Sequence, residues 1–331
     1  MTAPPAPADG PVVFARVIAS DGAARSIDWH AIKGFTPGEG ELLWVHIDRG
    51  APELKPWLRD ALGLSESTIE ALTGDARRPR AFREGNAVAA ILRGIGTGGA
   101  ADDGDLTAMQ LWADATHVVT LRRHRLLAAG DVLDEVDASD DVTSAGDLVA
   151  RLLEDTVARI GDVIVDMNDR IDALEAADDD ADTPEGRITA IAGLRRRCLA
   201  MKRHLSPQQA ALIRVGREAP AWFSDDNRAV MRETADLLHR FLEDIDVTME
   251  SAVVLQDDLN ARTAAQTNRT SYLLSIVAAI FLPLGFVASL FSTNLAGTPG
   301  TRDGASFWIL CGAMAALVAA QLVVFRRLRW L

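Results

Sequence analysis

Hydrophobic and polar positions divide this chain into three regimes. Near the C-terminal end, Tyr272 to Phe291 and Ser306 to Phe325 carry no charged residue. At about 1.5 Å rise per residue, each run spans roughly 30 Å as a helix, the thickness of a bilayer's hydrocarbon core. The pattern predicts a transmembrane hairpin over 271–331, with spans at about 271–291 and 306–325 and an external loop at 292–305. Upstream, the apolar period changes to that of long amphipathic helices. Leu153, Val157, Ile160, Ile164, Met167, Ile171 and Leu174 form one seam, and Ile188, Ile191, Leu194, Cys198, Met201 and Leu205 a second. The acidic run at 176–182 breaks the first helix. Thr183-Pro184 starts the next, which is expected to stop near Ser206-Pro207. A third helix starts near Ser224-Asp225. Met231, Ala235, Leu238, Leu242, Ile245, Met249, Ala252, Gln256 and Leu259 give it a seven-residue repeat, and no proline precedes Pro283. Continued to Phe291, it would be on the order of 100 Å long.

The third regime is the N-terminal part. Val12–Ile18, Leu42–Ile47, Ala87–Ile95, Thr107–Ala113 and His117–Leu121 read as strands. Ala51–Leu62 and Ser65–Thr73 read as helices, with Ser65 as an N-cap. The fold class is therefore α+β: an N-terminal α/β domain at 12–142, a long-helix stalk region at 143–270 and the hairpin, preceded by a flexible tail at 1–11. The tail, MTAPPAPADGP, has neither the basic start nor the apolar core of a signal peptide.

Composition narrows the function. A formal charge of −13 on 331 residues excludes a basic nucleic-acid-binding face and suits a protein that handles cations. Cys198 and Cys311, the two cysteines, lie too far apart for a disulfide framework or a cysteine metal site. His30, His46, His117, His124, His204 and His239 show no i, i+4 pair, so no zinc site is readable. Gly94-Ile95-Gly96-Thr97-Gly98-Gly99 satisfies the dinucleotide-binding spacing, but acidic Asp102, Asp103 and Asp105 follow in place of a helix. The stretch is expected to be a hairpin or loop. No nucleophile elbow, H-E-x-x-H or P-loop appears, and the chain reads as a non-enzyme with no cofactor. Arg262 and Arg269 before the first span, and Arg326, Arg327 and Arg329 after the second, outweigh Arg302 and Asp303 between them. The positive-inside rule places both termini in the cytoplasm and the loop outside.

Within the first span, Ser271, Leu274, Ala278, Leu282, Gly285 and Ser289 fall on roughly one helical face. Such a face of small, polar and leucine residues suits close helix packing around an axis, and a lipid-facing anchor is the alternative. Pro283 frees a backbone carbonyl that neighbours or water must satisfy. The seam turns polar at Thr263, Gln266 and Thr270 just before the span, as in a water-filled vestibule or in a frayed linker.

The run NRTSYLLSIVAAIFLPLGFVASLF at 268–291, followed by TNLAGTPG, resembles the membrane core of the CorA family of divalent-cation transporters. Within it, the chain is most similar to the zinc-transporter (ZntB-type) branch. WVHID at 44–48, RRPRAF at 77–82, LWADATHVVTLRRHRL at 111–126 and LRRRCLAMKRHLSPQQAAL at 194–212 carry the resemblance over most of the chain. The resemblance implies a funnel-shaped homopentamer in the cytoplasmic (inner) membrane, in contact with lipid. It implies divalent cations as cargo, zinc first, with a magnesium, cobalt or nickel channel as the alternative. The implied path is lined by Asn268, Ser271, Leu274, Ala278, Leu282, Gly285 and Ser289. The family's Gly-Met-Asn or Gly-Ile-Asn motif maps to Ser292, Thr293 and Asn294, with Gly297 and Pro299 following. Only the asparagine of the three matches the motif.

None of those path residues is Cys, His, Asp or Glu, the ligands that hold zinc directly. The expectation is therefore a largely hydrated divalent ion, with Leu274 and Leu282 as constrictions that gate by wetting. Ser292 and Thr293 either add hydroxyl ligands at the mouth or mark a homologue that has lost conduction. Asp236, Glu243, Asp244, Asp246, Glu250, Asp257 and Asp258, with the aspartates at 178–182, either attract cations or form solvated faces.

Overall fold

A computed structural model describes residues 11–75, 78–97, 105–139, 141–176, 184–292 and 306–327. The chain divides into two units, Met1–Leu255 and Gln256–Leu331. The first is built on an eight-stranded sheet of β1 (Val12–Ile18), β2 (Ala24–Ser26), β3 (Leu42–Asp48), β4 (Arg80–Glu84), β5 (Ala87–Thr97), β6 (Asp105–Ala113), β7 (His117–Arg122) and β8 (Arg125–Leu126). The spatial order is β2-β1-β3-β7-β6-β5-β4, with β8 on β5. Only β3 and β7 run parallel among these pairs.

Strand alternation sorts residues between two layers. Val45, Ile47, Ala89, Trp112, Val119 and Leu121 face α1 (Trp29–Ile32), α2 (Leu54–Asp60) and α3 (Glu66–Thr73), which supply Trp29, Trp57, Leu58, Ile69 and Leu72 to one core. Ser65 caps α3 as expected, its hydroxyl accepting from the Thr68 N–H at 3.3 Å. The opposite layer consists of α4 (Leu127–Ala138), α5 (Ala145–Ala176) and α6 (Pro184–Glu218).

The two glycines Gly94 and Gly96 belong to β5, which pairs antiparallel with β6. A Cβ on Gly96 would stand 2.8 Å from the Arg125 carbonyl and 2.6 Å from the Thr107 methyl. These glycines admit close neighbours, as in the expected hairpin; Gly98 and Gly99 lie outside the described residues.

The long seams are buried as their periodicity requires. Leu153, Val157, Ile160, Ile164, Met167 and Ile171 of α5 are all buried, as are Ile191, Leu194, Cys198, Met201 and Leu205 of α6. Helix α7 runs Asp225–Ser292, and Ser224 caps it by accepting from the Asn227 N–H at 3.1 Å. Met231, Ala235, Leu238, Ile245 and Ala252 are buried. A final helix, α8, runs Ser306–Arg327.

One expected boundary is wrong. Helix α6 does not stop at Ser206-Pro207 but continues to Glu218 with Pro207 inside it. The reason is tertiary. Strand β4 pairs with β5 as far as Ile91, and β8 takes over at Gly96, so Arg93 falls between the two strands. The side-chain amide of Gln208 fills that interval. It accepts from the Arg93 N–H at 2.7 Å and donates to the Arg93 carbonyl at 3.0 Å. Gln208 is fully buried, so this two-point bridge secures the second half of α6 despite the helix bond lost at the proline.

Candidate functional site

The second unit contains the candidate path. Helices α7 and α8 are both long and apolar enough to cross a membrane. Ser271, Leu274, Ala278, Leu282, Gly285 and Ser289 are all exposed in the single chain, and Leu282 is 72% exposed. At 100° per residue they fall within roughly 80° of arc. The least exposed positions of the same stretch, Ile276, Ala279, Ile280, Pro283, Leu284 and Val287, centre roughly 170° away. That second side is where α8 touches α7, through a hydrogen bond from Gln321 Nε2 to the Ala279 carbonyl at 3.3 Å. The face singled out in the sequence is thus the one opposite α8.

Asn268 is exposed too, but it projects roughly 80° from the centre of that face. Thr270 projects about as far to the other side, whereas Thr263 and Thr267 lie closer to the centre. Each of the three threonines donates its hydroxyl to the carbonyl four residues back, at 2.8 Å for Thr263, 2.9 Å for Thr267 and 3.1 Å for Thr270. The proton being used internally, each oxygen keeps its lone pairs for an outside donor. Sequence reasoning passed over Thr267; its signal was the i, i+4 step from Thr263 on to Ser271. At the C-terminal end of α7, Ser292 closes the helix and is exposed. Thr293, Asn294, Gly297 and Pro299 lie outside the described residues.

Among the described residues no group of three or more His, Cys, Asp or Glu side chains is placed to hold a metal. His46 is buried between strands, its Nδ1 2.8 Å from Thr120 Oγ1 and its ring stacked on Phe14. Burial pushes it down to about 3, so it stays neutral. The seven acidic residues expected on α7 are all exposed. Asp246 pairs with Lys202, Asp258 with Arg262, and Glu243 lies 3.7 Å from His239. Asp178–Asp180 and Asp182 lie outside the described residues.

One carboxylate in the first unit is unusual. Asp155 of α5 meets Asp131 and Glu135 of α4 beside Arg151 and Arg159. Arg159 pairs with Asp131 at 2.6 Å and Arg151 with Glu135 at 2.7 Å, while Asp155 Oδ2 is buried without a hydrogen-bond partner. Desolvation, then the nearby Asp131 charge, pushes the Asp155 carboxyl up to about 6.

An α/β domain followed by a long helix and a C-terminal helix, both long and apolar enough to cross a membrane, is an arrangement that known proteins share. The description "CorA-like Mg2+ transporter protein" matches residues 39–327. The chain belongs to this family. The divalent cation transporter CmaX of Pseudomonas aeruginosa is 33% identical over 97% of both chains. The zinc transport protein ZntB of Pectobacterium atrosepticum is 29% identical over 94% of this chain and 96% of its own. The structure of full-length CmaX superposes with a TM-score of 0.83 at 32% identity, covering 98% of this chain and all of CmaX. The complete CorA magnesium transporter of Methanocaldococcus jannaschii gives a TM-score of 0.78 at 15% identity over 96% of this chain and 99% of its own, a likeness of fold. The family is one of transporters, not enzymes, and the ZntB-type resemblance is upheld.

Proposed function

We propose that this protein carries divalent cations, zinc first, across the cytoplasmic membrane through a homopentameric pore lined by α7. The observation that carries the reading is the face of α7 opposite α8, which is left exposed although it holds Leu274 and Leu282. A pair of spans cannot enclose a pore by itself, so several copies must surround one axis. In that assembly 12–142 is the cytoplasmic domain, 143–270 the stalk region and 271–331 the hairpin. Both termini are cytoplasmic, and lipid contacts the outside of the spans.

The ion passes largely hydrated. Its waters are hydrogen-bond donors, and hydroxyls that spend their own protons on their helix present only lone pairs. Ser271 and Ser289 add hydroxyls on the same face, Ala278 and Gly285 leave room, and Leu274 and Leu282 form dry rings that must wet for conduction. Asn268 marks the cytoplasmic end. Ser292, Thr293 and Asn294, with Gly297 and Pro299 following in the sequence, form the outer mouth. The motif's serine and threonine favour a second reading, an assembled but non-conducting homologue.

Single cysteines at Leu274 and Leu282, against Ile276 and Leu284, test the lining in a background lacking Cys198 and Cys311. A membrane-impermeant charged thiol reagent is expected to modify the first pair and spare the second. Equal or reversed labelling overturns the assignment.

A further inference from the structure

A proline inside a helix donates no N–H to the carbonyl four residues back. For Pro283 that carbonyl belongs to Ala279, and it lies within the first span, where no bulk water is at hand. The Ala279 carbonyl is nevertheless hydrogen-bonded, and its donor is Gln321 Nε2, reaching across from α8 at 3.3 Å. The inward stripe of α8 is otherwise apolar: Leu310, Met314, Leu317, Val318 and Phe325 flank the glutamine. The other end of the same amide, Oε1, is buried with no hydrogen-bond partner. A polar side chain in an apolar stripe, with its acceptor unsatisfied, has its donor as its one evident use.

We propose that Gln321 is a positioning residue that stands in for the backbone N–H missing at Pro283. It thereby fixes α7 where its own hydrogen-bond ladder lacks one bond and, one residue before the proline, the placement of the Leu282 ring. Its effect on flux rests on the transport reading above; its effect on the hairpin does not. The amide holds α8 to α7 at the level where the α7 helix lacks a bond of its own. A change at Gln321 therefore reaches the path without any contact with the ion.

The test is a double-mutant cycle in the full-length protein, using Gln321→Leu, Pro283→Ala and both together. Pro283→Ala restores the helix's own donor and makes the glutamine dispensable. Gln321→Leu alone is expected to lower the thermal midpoint in detergent and to cut zinc flux about threefold, the equivalent of roughly 0.6 kcal/mol for a hydrogen bond between spanning helices. In the Pro283→Ala background it is expected to change neither. If Gln321→Leu does not assemble alone, assembly of the double variant is the predicted rescue. A second series needs no proline change: Gln321→Glu, measured at acidic pH where a carboxylic acid keeps its O–H donor, holds the midpoint, whereas Gln321→Met at the same pH keeps the length and loses it. Equal losses in both proline backgrounds, failure of both leucine variants to assemble, or identical behaviour of Glu and Met overturns the proposal. A protein that conducts no zinc still reports through the midpoints, which separates failure of this proposal from failure of the transport reading.

Discussion

Replacing Gln208 by leucine removes both bonds to the Arg93 backbone while nearly preserving side-chain volume. Gln208 is fully buried, so no solvent replaces the amide. A buried polar group left unsatisfied costs about 1–3 kcal/mol. Two such groups, the Arg93 N–H and carbonyl, put the loss at about 2–6 kcal/mol against total stabilities of about 5–15 kcal/mol. For a unit of this size that is a fall of about 4–24 °C in the unfolding midpoint. Gln208→Glu refines the reasoning. Its carboxylate still accepts from the Arg93 N–H but opposes the Arg93 carbonyl, and protonation returns the missing donor. The glutamate variant should gain midpoint on acidification relative to wild type, and the leucine variant should not. The assay is tryptophan fluorescence and circular dichroism on heating, with hydrogen exchange at the Arg93 amide as the local reporter. A Gln208→Leu midpoint within about 1 °C of wild type, against the fall expected from the size scaling, or unchanged exchange at Arg93, would falsify the bridge.

Two further changes test the first unit. Asp155 ionises less readily in the fold than in the unfolded chain, so its contribution is fully favourable below about 3.8 and is lost as pH rises through about 6. Asp155→Asn should raise stability above about pH 6 by about 1–2 kcal/mol, allowing for screening at a half-buried site, and flatten the pH profile between those limits in denaturant titrations. A variant no more stable than wild type on the alkaline side of that window contradicts this. Gly161 of α5 lies against the Phe241 ring of α7, and a Cβ there would stand 2.3 Å from the ring carbon Cζ. Gly161→Ala should cost about 1–3 kcal/mol by overpacking, with part recovered when Phe241 is shortened to leucine.

The parts of the fold legible in the sequence are those whose pattern is local and repeated. Enrichment in β-branched and apolar residues in Val12–Ile18 and His117–Leu121 marked those strands, Ser65 marked a helix start, and the seams of α5 and α7 marked their buried faces. β2 and β8 are too short to show a period, and β4 is an edge strand whose Arg80, Arg83 and Glu84 hide it. Helix α4, without a side-chain cap, carried no start signal. The Pro207 misreading and the overlooked Gln321 share one cause. Each amide's meaning lies in a backbone group distant in sequence, at Arg93 and at Ala279, where a regular ladder is interrupted. A single sequence shows the amide but not the interruption it fills. The exposed face of α7 was legible because it repeats at helical spacing. Thr267 was missed because its hydroxyl reads as ordinary polarity until its proton is seen to be spent at Thr263.

The most direct measurement is zinc flux into proteoliposomes containing the purified full-length protein, with and without a pH gradient, beside Asn294→Ala. The account predicts zinc entry from the wild-type protein and its loss in the variant. A correctly assembled oligomer that passes no zinc, magnesium, cobalt or nickel would contradict it and leave the non-conducting reading in its place.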